Sequence, residues 1–148
     1  MPLVSIIYVS YNNGDAIVRS LVSLEQQTFR DFEVVIVDDG STDNTVGLIE
    51  KYQSLFPPFP VSLIKQQGHL GGQLSQSKAL ANCRGHFVHY AEAEILPPAR
   101  IENFVEVKRA SEGRIEKRIE NRIIKGRPPG MGARKEKKKR RITLPILK

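Results

Sequence analysis

Apolar residues in this chain fall into short unbroken runs separated by segments with helical spacing. "LVSIIYVS" (Leu3–Ser10) is β-branched and apolar, the pattern of a strand buried on both faces. "YNNGD" turns the chain, and from Ala16 to Gln27 the positions Ile17, Leu21, Val22 and Leu24 recur at helical spacing. "DFEVVIVDD" (Asp31–Asp39) predicts a second buried strand, and "GSTDNT" supplies turn and cap chemistry. A second helix then runs to about Tyr52, with Val46, Leu48 and Ile49 turned inward. "FPPFP" (Phe56–Pro60) breaks the chain before a third strand, Val61–Lys65. "GHLGGQ" is a glycine loop, Leu74 to Cys83 predicts a helix, and "GHFVHY" is a fourth strand reaching Tyr90. Pro97 and Pro98 open another helix, Ala99 to about Ala110, since proline is tolerated in a first turn.

Strand and helix alternate four times, with connections too long for hairpins. That order predicts an α/β fold, a doubly wound parallel sheet with right-handed crossovers. Ligands of such sheets bind beyond the carboxyl ends of the strands. Four loops therefore share one edge: "SYNNG", "DDGSTD", "KQQGHLGG" and "AEAEIL". The clusters of polar residues with chemical potential all lie in them.

The 148 residues suffice for one domain with a core. Cys83 is the only cysteine, which excludes an intrachain disulfide and a cysteine zinc site, and a reducing compartment fits best. With no signal-peptide pattern and no membrane-length apolar run, a cytoplasmic protein is expected. The net charge of +7 hides an asymmetry. Residues 1–107 hold 7 Lys/Arg against 12 Asp/Glu, a net of −5, and residues 108–148 hold 16 against 4, a net of +12.

The basic tail has two parts. "EGRIEKRIENRIIKG" spaces Ile115, Ile119 and Ile123 four apart among alternating charges, which suits an exposed helix with a narrow apolar stripe. "RPPGMGARKEKKKRR" has no periodicity and reads as disordered or dependent on a partner. The cluster at residues 134–141 is a candidate contact for an anionic membrane surface, which would put the chain at the inner face of a membrane. No aromatics are interleaved with these cations, so nucleic acid is not favoured as a partner. A solvated tail is the simplest single reading of the pattern.

The blocks "VSIIYVSYNN", "QTFRDFEVVIVDDGSTDNT" and "RGHFVHYAEAEILPP", in that order from about Pro2 to Phe104, resemble the N-terminal half of family 2 glycosyltransferases. The resemblance implies a Rossmann-like GT-A fold over residues 1–110, with 111–148 as a basic helical or disordered tail. It implies transfer of a sugar from a nucleotide-diphosphate donor of the UDP or dTDP type. Carried over, Ser10, Tyr11 and Asn12 hold base and ribose, with Tyr11 suited to stacking on the base. Asp39, with Asp38 beside it, accepts a base N–H or sugar hydroxyls, although Asp at a strand end also suits turn and helix-start chemistry.

The glycine loop corresponds to the family's "GG…ARN" segment but lacks its Arg. Gln76 falls nearest, and Lys78 is the one nearby cation that could meet a phosphate as a point charge. His69 reads as a solvent-exposed loop residue, and His86 and His89 as satisfied structural histidines. Counting from Arg84-Gly85 puts Glu92 and Glu94 at the family's Asp-x-Asp positions. Counting back from the prolines lands on Ala91 and Ala93, which carry no carboxylate, so the first count is adopted. Two carboxylates there suit Mg²⁺ or Mn²⁺, hard cations that offset the charge of a departing diphosphate. Taken alone, they suit two exposed glutamates on a loop. The family's general base is an Asp in its second half, and no counterpart is identifiable here. A nucleotide-sugar-binding module without transfer activity is therefore the alternative.

Overall fold

The computed structural model describes residues 1–124, with side chains through Lys117. The cluster at residues 134–141, the side chains of Ile119 and Ile123, and the rest of the tail beyond residue 124 lie outside the described residues. The element order is β1 (Val4–Ser10), α1 (Gly14–Leu24), β2 (Phe32–Asp38), α2 (Thr45–Ser54), β3 (Val61–Lys65), α3 (Gly72–Ala81), β4 (Phe87–Tyr90) and α4 (Arg100–Ile124). The chain forms two units, Met1–Lys108 and Arg109–Lys148. The first holds the sheet. In the second, residues 109–124 are helical, and the side chains described there are largely exposed.

All pairings are parallel, in the order β3-β2-β1-β4. The chain steps outward from β1 through β2 to β3, then returns to the far side of β1. The strand order thus reverses between β1 and β4. β1 and β2 are central, which is why their sequences are continuously apolar instead of alternating.

Alternate residues face opposite layers. Val4, Ile6 and Tyr8 of β1, with Val34 and Ile36 of β2, pack against Ile17, Leu21 and Leu24 of α1, Ile49 and Tyr52 of α2, and Ile101 and Val105 of α4. Ile7, Val35 and Val37 face the other way and meet Ala79 of α3. Among the described residues, three helices cover one face and α3 alone serves the other. Val22, expected inward, is 47% exposed, because it lies one helical step round from Leu21. In α2 the buried positions are Thr45, Ile49 and Tyr52, with Val46 and Leu48 only half-buried.

Two buried polar residues fix the connections. Glu33 accepts from Ser5 Oγ (2.7 Å), Arg84 N (2.7 Å), Arg84 Nε (2.8 Å) and Arg84 Nη2 (2.6 Å). Gly85 follows, and a Cβ there would overlap the Ser5 backbone. This clamp sets where β4 begins. Gln27 acts at the opposite end of β4. Its Nε2 donates to Pro97 O (2.8 Å) and Leu96 O (3.4 Å), and its Oε1 accepts from Ile101 N (3.1 Å). Thr28 N adds a bond to Pro98 O (2.9 Å), and Ser23 Oγ accepts from Leu96 N (3.0 Å). The "QTF" link therefore holds the acidic loop after β4.

The helix after the prolines does not end near Ala110; α4 runs to Ile124. Its alternating charges at spacings of three and four support a continued helix. Among the described residues no helix is long and apolar enough to cross a membrane. His89 is not fully satisfied. Its ring packs on Phe104 (4.8 Å), its Nε2 is buried without a hydrogen-bond partner, and burial together with nearby Arg100 pushes its pKa down.

Burial pushes the Glu33 carboxyl up, but the bonds from Ser5 and Arg84 and the Arg84 charge outweigh it, so its folded pKa is lowered. A lowered folded pKa means stability that is full above the unfolded value, about 4.3, and lost as pH falls through the folded one. Glu33→Gln is expected to destabilise the chain by about 2–3 kcal/mol near neutrality. It should also flatten the loss of stability below about pH 4. Urea unfolding midpoints across pH measure both.

Candidate functional site

Because the strands are parallel, their carboxyl ends share one edge, and the loops after them meet there. Ser10 is buried at the end of β1, and its Oγ donates to Asp38 Oδ1 (2.9 Å). Asp38 is also buried and accepts from Ser41 N (2.9 Å) and Ser41 Oγ (2.5 Å). Ser10 and Asp38 therefore brace the first two strand ends.

Asn12 adopts φ 49°, a left-handed conformation that asparagine tolerates. Its Oδ1 accepts from Thr42 N (2.8 Å) and Asp43 N (3.3 Å), and its backbone N donates to Ser41 Oγ (3.0 Å). It splices the loop after β1 to the loop after β2. Behind it, Gly14 N donates to Thr45 Oγ1 (3.0 Å), and a Cβ on Gly14 would come within 2.7 Å of Thr45 Cα. The close approach of α1 and α2 requires that glycine.

Asp39 is 1% exposed. Its Oδ1 accepts from Leu70 N (2.8 Å) and Gln66 Nε2 (3.2 Å). Its Oδ2 accepts from Gly71 N (3.0 Å) and pairs with His69 Nδ1 (2.9 Å). Burial raises the Asp39 pKa, yet the backbone bonds from Leu70 and Gly71, the nearby Ser75 hydroxyl and the neighbouring His69 together outweigh it, leaving it below the usual carboxylate range. Asp39 remains a buried anion that folds the glycine loop over itself. Tyr11 is 42% exposed, and its ring lies 4.3 Å from that of His69, tilted by 36°. His69, read from sequence as a solvent residue, joins Tyr11 to Asp39.

Where the strand order reverses, between β1 and β4, a cleft of about 350 Å³ opens on the face covered by α3. Ile7, Val9, Asn13, Gln76, Tyr90 and the loop Ala91–Ala93, which includes Glu92, line it. Such reversal points are where open parallel sheets bind ligands. Lys78 is not among the lining residues. It sits two residues past Gln76, about 200° round the helix, so α3 presents Gln76 to the cleft in its place. Asn13 was not singled out by its sequence; its position depends on the left-handed turn at Asn12.

Glu92 and Glu94 follow β4 in a tight turn, with Glu94 N donating to Glu92 O (2.7 Å). Both are exposed. Glu92 lines the cleft, and Glu94 Oε1 pairs with Arg100 Nη2 (3.2 Å). The two carboxylates thus have different partners. Among the described residues, no group of three or more His, Cys, Asp or Glu side chains could hold a metal ion.

The sequence matches the profile of Glycosyl transferase family 2 over residues 5–115. The chain belongs to that family. Escherichia coli chondroitin synthase is 36% identical over 103 residues, 69% of this chain and 15% of that protein. The uncharacterized glycosyltransferase YfnE of Bacillus subtilis is 32% identical over 93 residues, 62% of this chain and 23% of that protein. Among solved structures, the mannosyltransferase PcManGT from Pyrobaculum calidifontis, in complex with GDP-Man and Mn²⁺, aligns with a TM-score of 0.61 at 31% identity. The alignment covers 67% of this chain and 29% of that one. S. aureus TarS 1-349 in complex with UDP-GlcNAc aligns with a TM-score of 0.62 at 29% identity, over 70% of this chain and 30% of that one. This family 2 chain thus spans less than a third of the length of these four relatives. The parallel sheet with flanking helices is the GT-A architecture these structures share with it.

In this family 2 chain, the two strand-end loops meet at a pair of glycines. Gly40 has φ 76°, and a Cβ there would overlap the carbonyl carbon of Gly68, itself at φ 83°. Gly40→Ala is expected to cost about 1–3 kcal/mol from backbone strain alone. By hydrogen exchange, the amides of Leu70 and Gly71 should lose protection while those of β1 keep theirs.

Proposed function

We propose that this chain is the donor-binding part of a glycosyltransferase that takes a sugar from a nucleotide-diphosphate carrier of the UDP or dTDP type. The observation that carries the reading is the convergence of Tyr11 and the buried anion Asp39 at the edge where the cleft opens between β1 and β4. A ring beside a fixed acceptor suits a nucleobase. A cleft with an amide and a carboxylate suits the sugar diphosphate that follows it. The nucleotide sugars bound to PcManGT and TarS support the same class of ligand. In this reading Tyr11 and Asp39 meet the nucleotide. Ser10, Asn12 and Asp38 hold the loops, and Gln76 takes the place first considered for Lys78.

We assign a divalent cation, Mg²⁺ or Mn²⁺, to Glu92 and Glu94. The donor set fits: such ions take one or two carboxylates and complete their shell with water and substrate phosphates. Glu92 already faces the cleft, and Glu94 would exchange its exposed ion pair with Arg100 for the metal. The ion, when bound, supplies positive charge against the diphosphate. The Mn²⁺ of PcManGT supports this assignment.

Calorimetric titration with UDP, with and without Mn²⁺, tests the whole reading. Binding strengthened by Mn²⁺ is expected. Absence of UDP, dTDP and GDP binding under both conditions would overturn it. The Glu92→Gln/Glu94→Gln pair should lose the Mn²⁺-dependent gain, about tenfold or more in affinity; retention of that gain removes the metal from these residues. Conversely, Gln76→Arg places a guanidinium in the cleft and should tighten UDP binding several-fold, roughly as one charge-assisted hydrogen bond would.

A further inference from the structure

Asp39 has no acceptor position left. A carboxylate offers about four lone-pair sites, and Gln66, Leu70, Gly71 and His69 occupy them. Two of the four donors are backbone groups fixed by the entry into α3. The Gln66 amide is buried and also donates to Ser75 Oγ (2.6 Å). His69 alone is free to leave, since its side chain is 55% exposed.

The His69 ring also covers one face of Tyr11 at 4.3 Å. Aromatic partners sit with centroids about 4.5–7 Å apart, so no second ring fits between them. One side chain thus makes both contacts a nucleobase would make here: a ring against Tyr11 and an N–H to Asp39. The 2.9 Å approach of Nδ1 to a carboxylate requires the proton on that nitrogen.

We propose that His69 is a built-in place-holder for the nucleotide base, which a base bearing a ring N–H must displace to reach Asp39. The inference rests on the nucleotide reading above. Uracil, thymine and guanine each carry such an N–H. Cytosine and adenine present a ring lone pair there, so their ring nitrogen cannot replace the imidazole donor. His69 keeps a desolvated anion satisfied while no donor is bound, since an unmet acceptor in that position is costly. It also lowers apparent affinity by the fraction of molecules in which the position is taken. His69 is therefore a specificity residue that acts by competition.

The test uses the full chain and calorimetry with UDP and CDP. His69→Ala should bind UDP about tenfold more tightly than the wild-type chain, because the competing state is gone. CDP should gain little. His69→Phe keeps a ring but has no donor, and should fall between the two. In the wild-type chain, saturating UDP should shift the His69 ring proton resonances as they leave the Tyr11 ring. That measurement needs no variant and decides the matter if the substitutions fail to fold. Unchanged or weaker UDP binding by folded His69→Ala, or a His69 ring unmoved at saturation, overturns the place-holder while leaving nucleotide binding intact. Failure of wild type and variant alike to bind UDP, dTDP or GDP overturns the nucleotide reading, and this inference with it.

Discussion

The site depends on a charge that the fold has buried. Asp39 follows directly on β2, a central strand, where water cannot satisfy it. Its donors must come from the protein, and the loop after β3 supplies them. The carboxylate thereby converts a glycine-rich segment into a fixed surface. Its neighbour Gly40 lies against the Gly68 backbone with no room for a side chain on Gly40. Charge satisfaction and close backbone approach act on the same few residues, so neither can be relaxed alone.

The unequal layers explain where the cleft lies. Three helices cover one face, and the other depends on α3, which packs on β1 and β2 through a residue as small as Ala79. Toward β4 that face is left thinly covered, and there the strand order reverses. The opening is a consequence of topology: Gln76 lines it from the middle of α3, and Tyr90 and Glu92 line it because β4 ends there. The Glu33–Arg84 clamp at one end of β4 and the Gln27 contacts at the other fix that strand's position along β1.

Strands were the most legible elements. β1 and β2 are buried on both faces, and that burial is written as unbroken apolar runs; β3 was read at Val61–Lys65, its observed bounds. The shared loop edge followed from parallel order alone. Helix phase was less legible, because one residue's error rotates a side chain by about 100°. That separates Lys78 from Gln76 and exposes Val22. The length of α4 was hidden because interleaved charges resemble a separate surface helix. His69 was legible only as a polar loop residue. Its contacts with Asp39 and Tyr11 join residues 30 and 58 positions away, which no local pattern encodes. The buried Nε2 of His89 was equally hidden, since its layer neighbour Phe104 lies on α4.

Gln27 grips the loop after β4 through a neutral amide and three backbone groups. None of those contacts involves a side chain of residues 92–95. The anchorage is therefore indifferent to which side chains the loop displays, and to whether they are ionised. Acidic residues of different length can occupy the loop without disturbing its support. It is a socket held by its frame, whose contents are free to vary over evolutionary time.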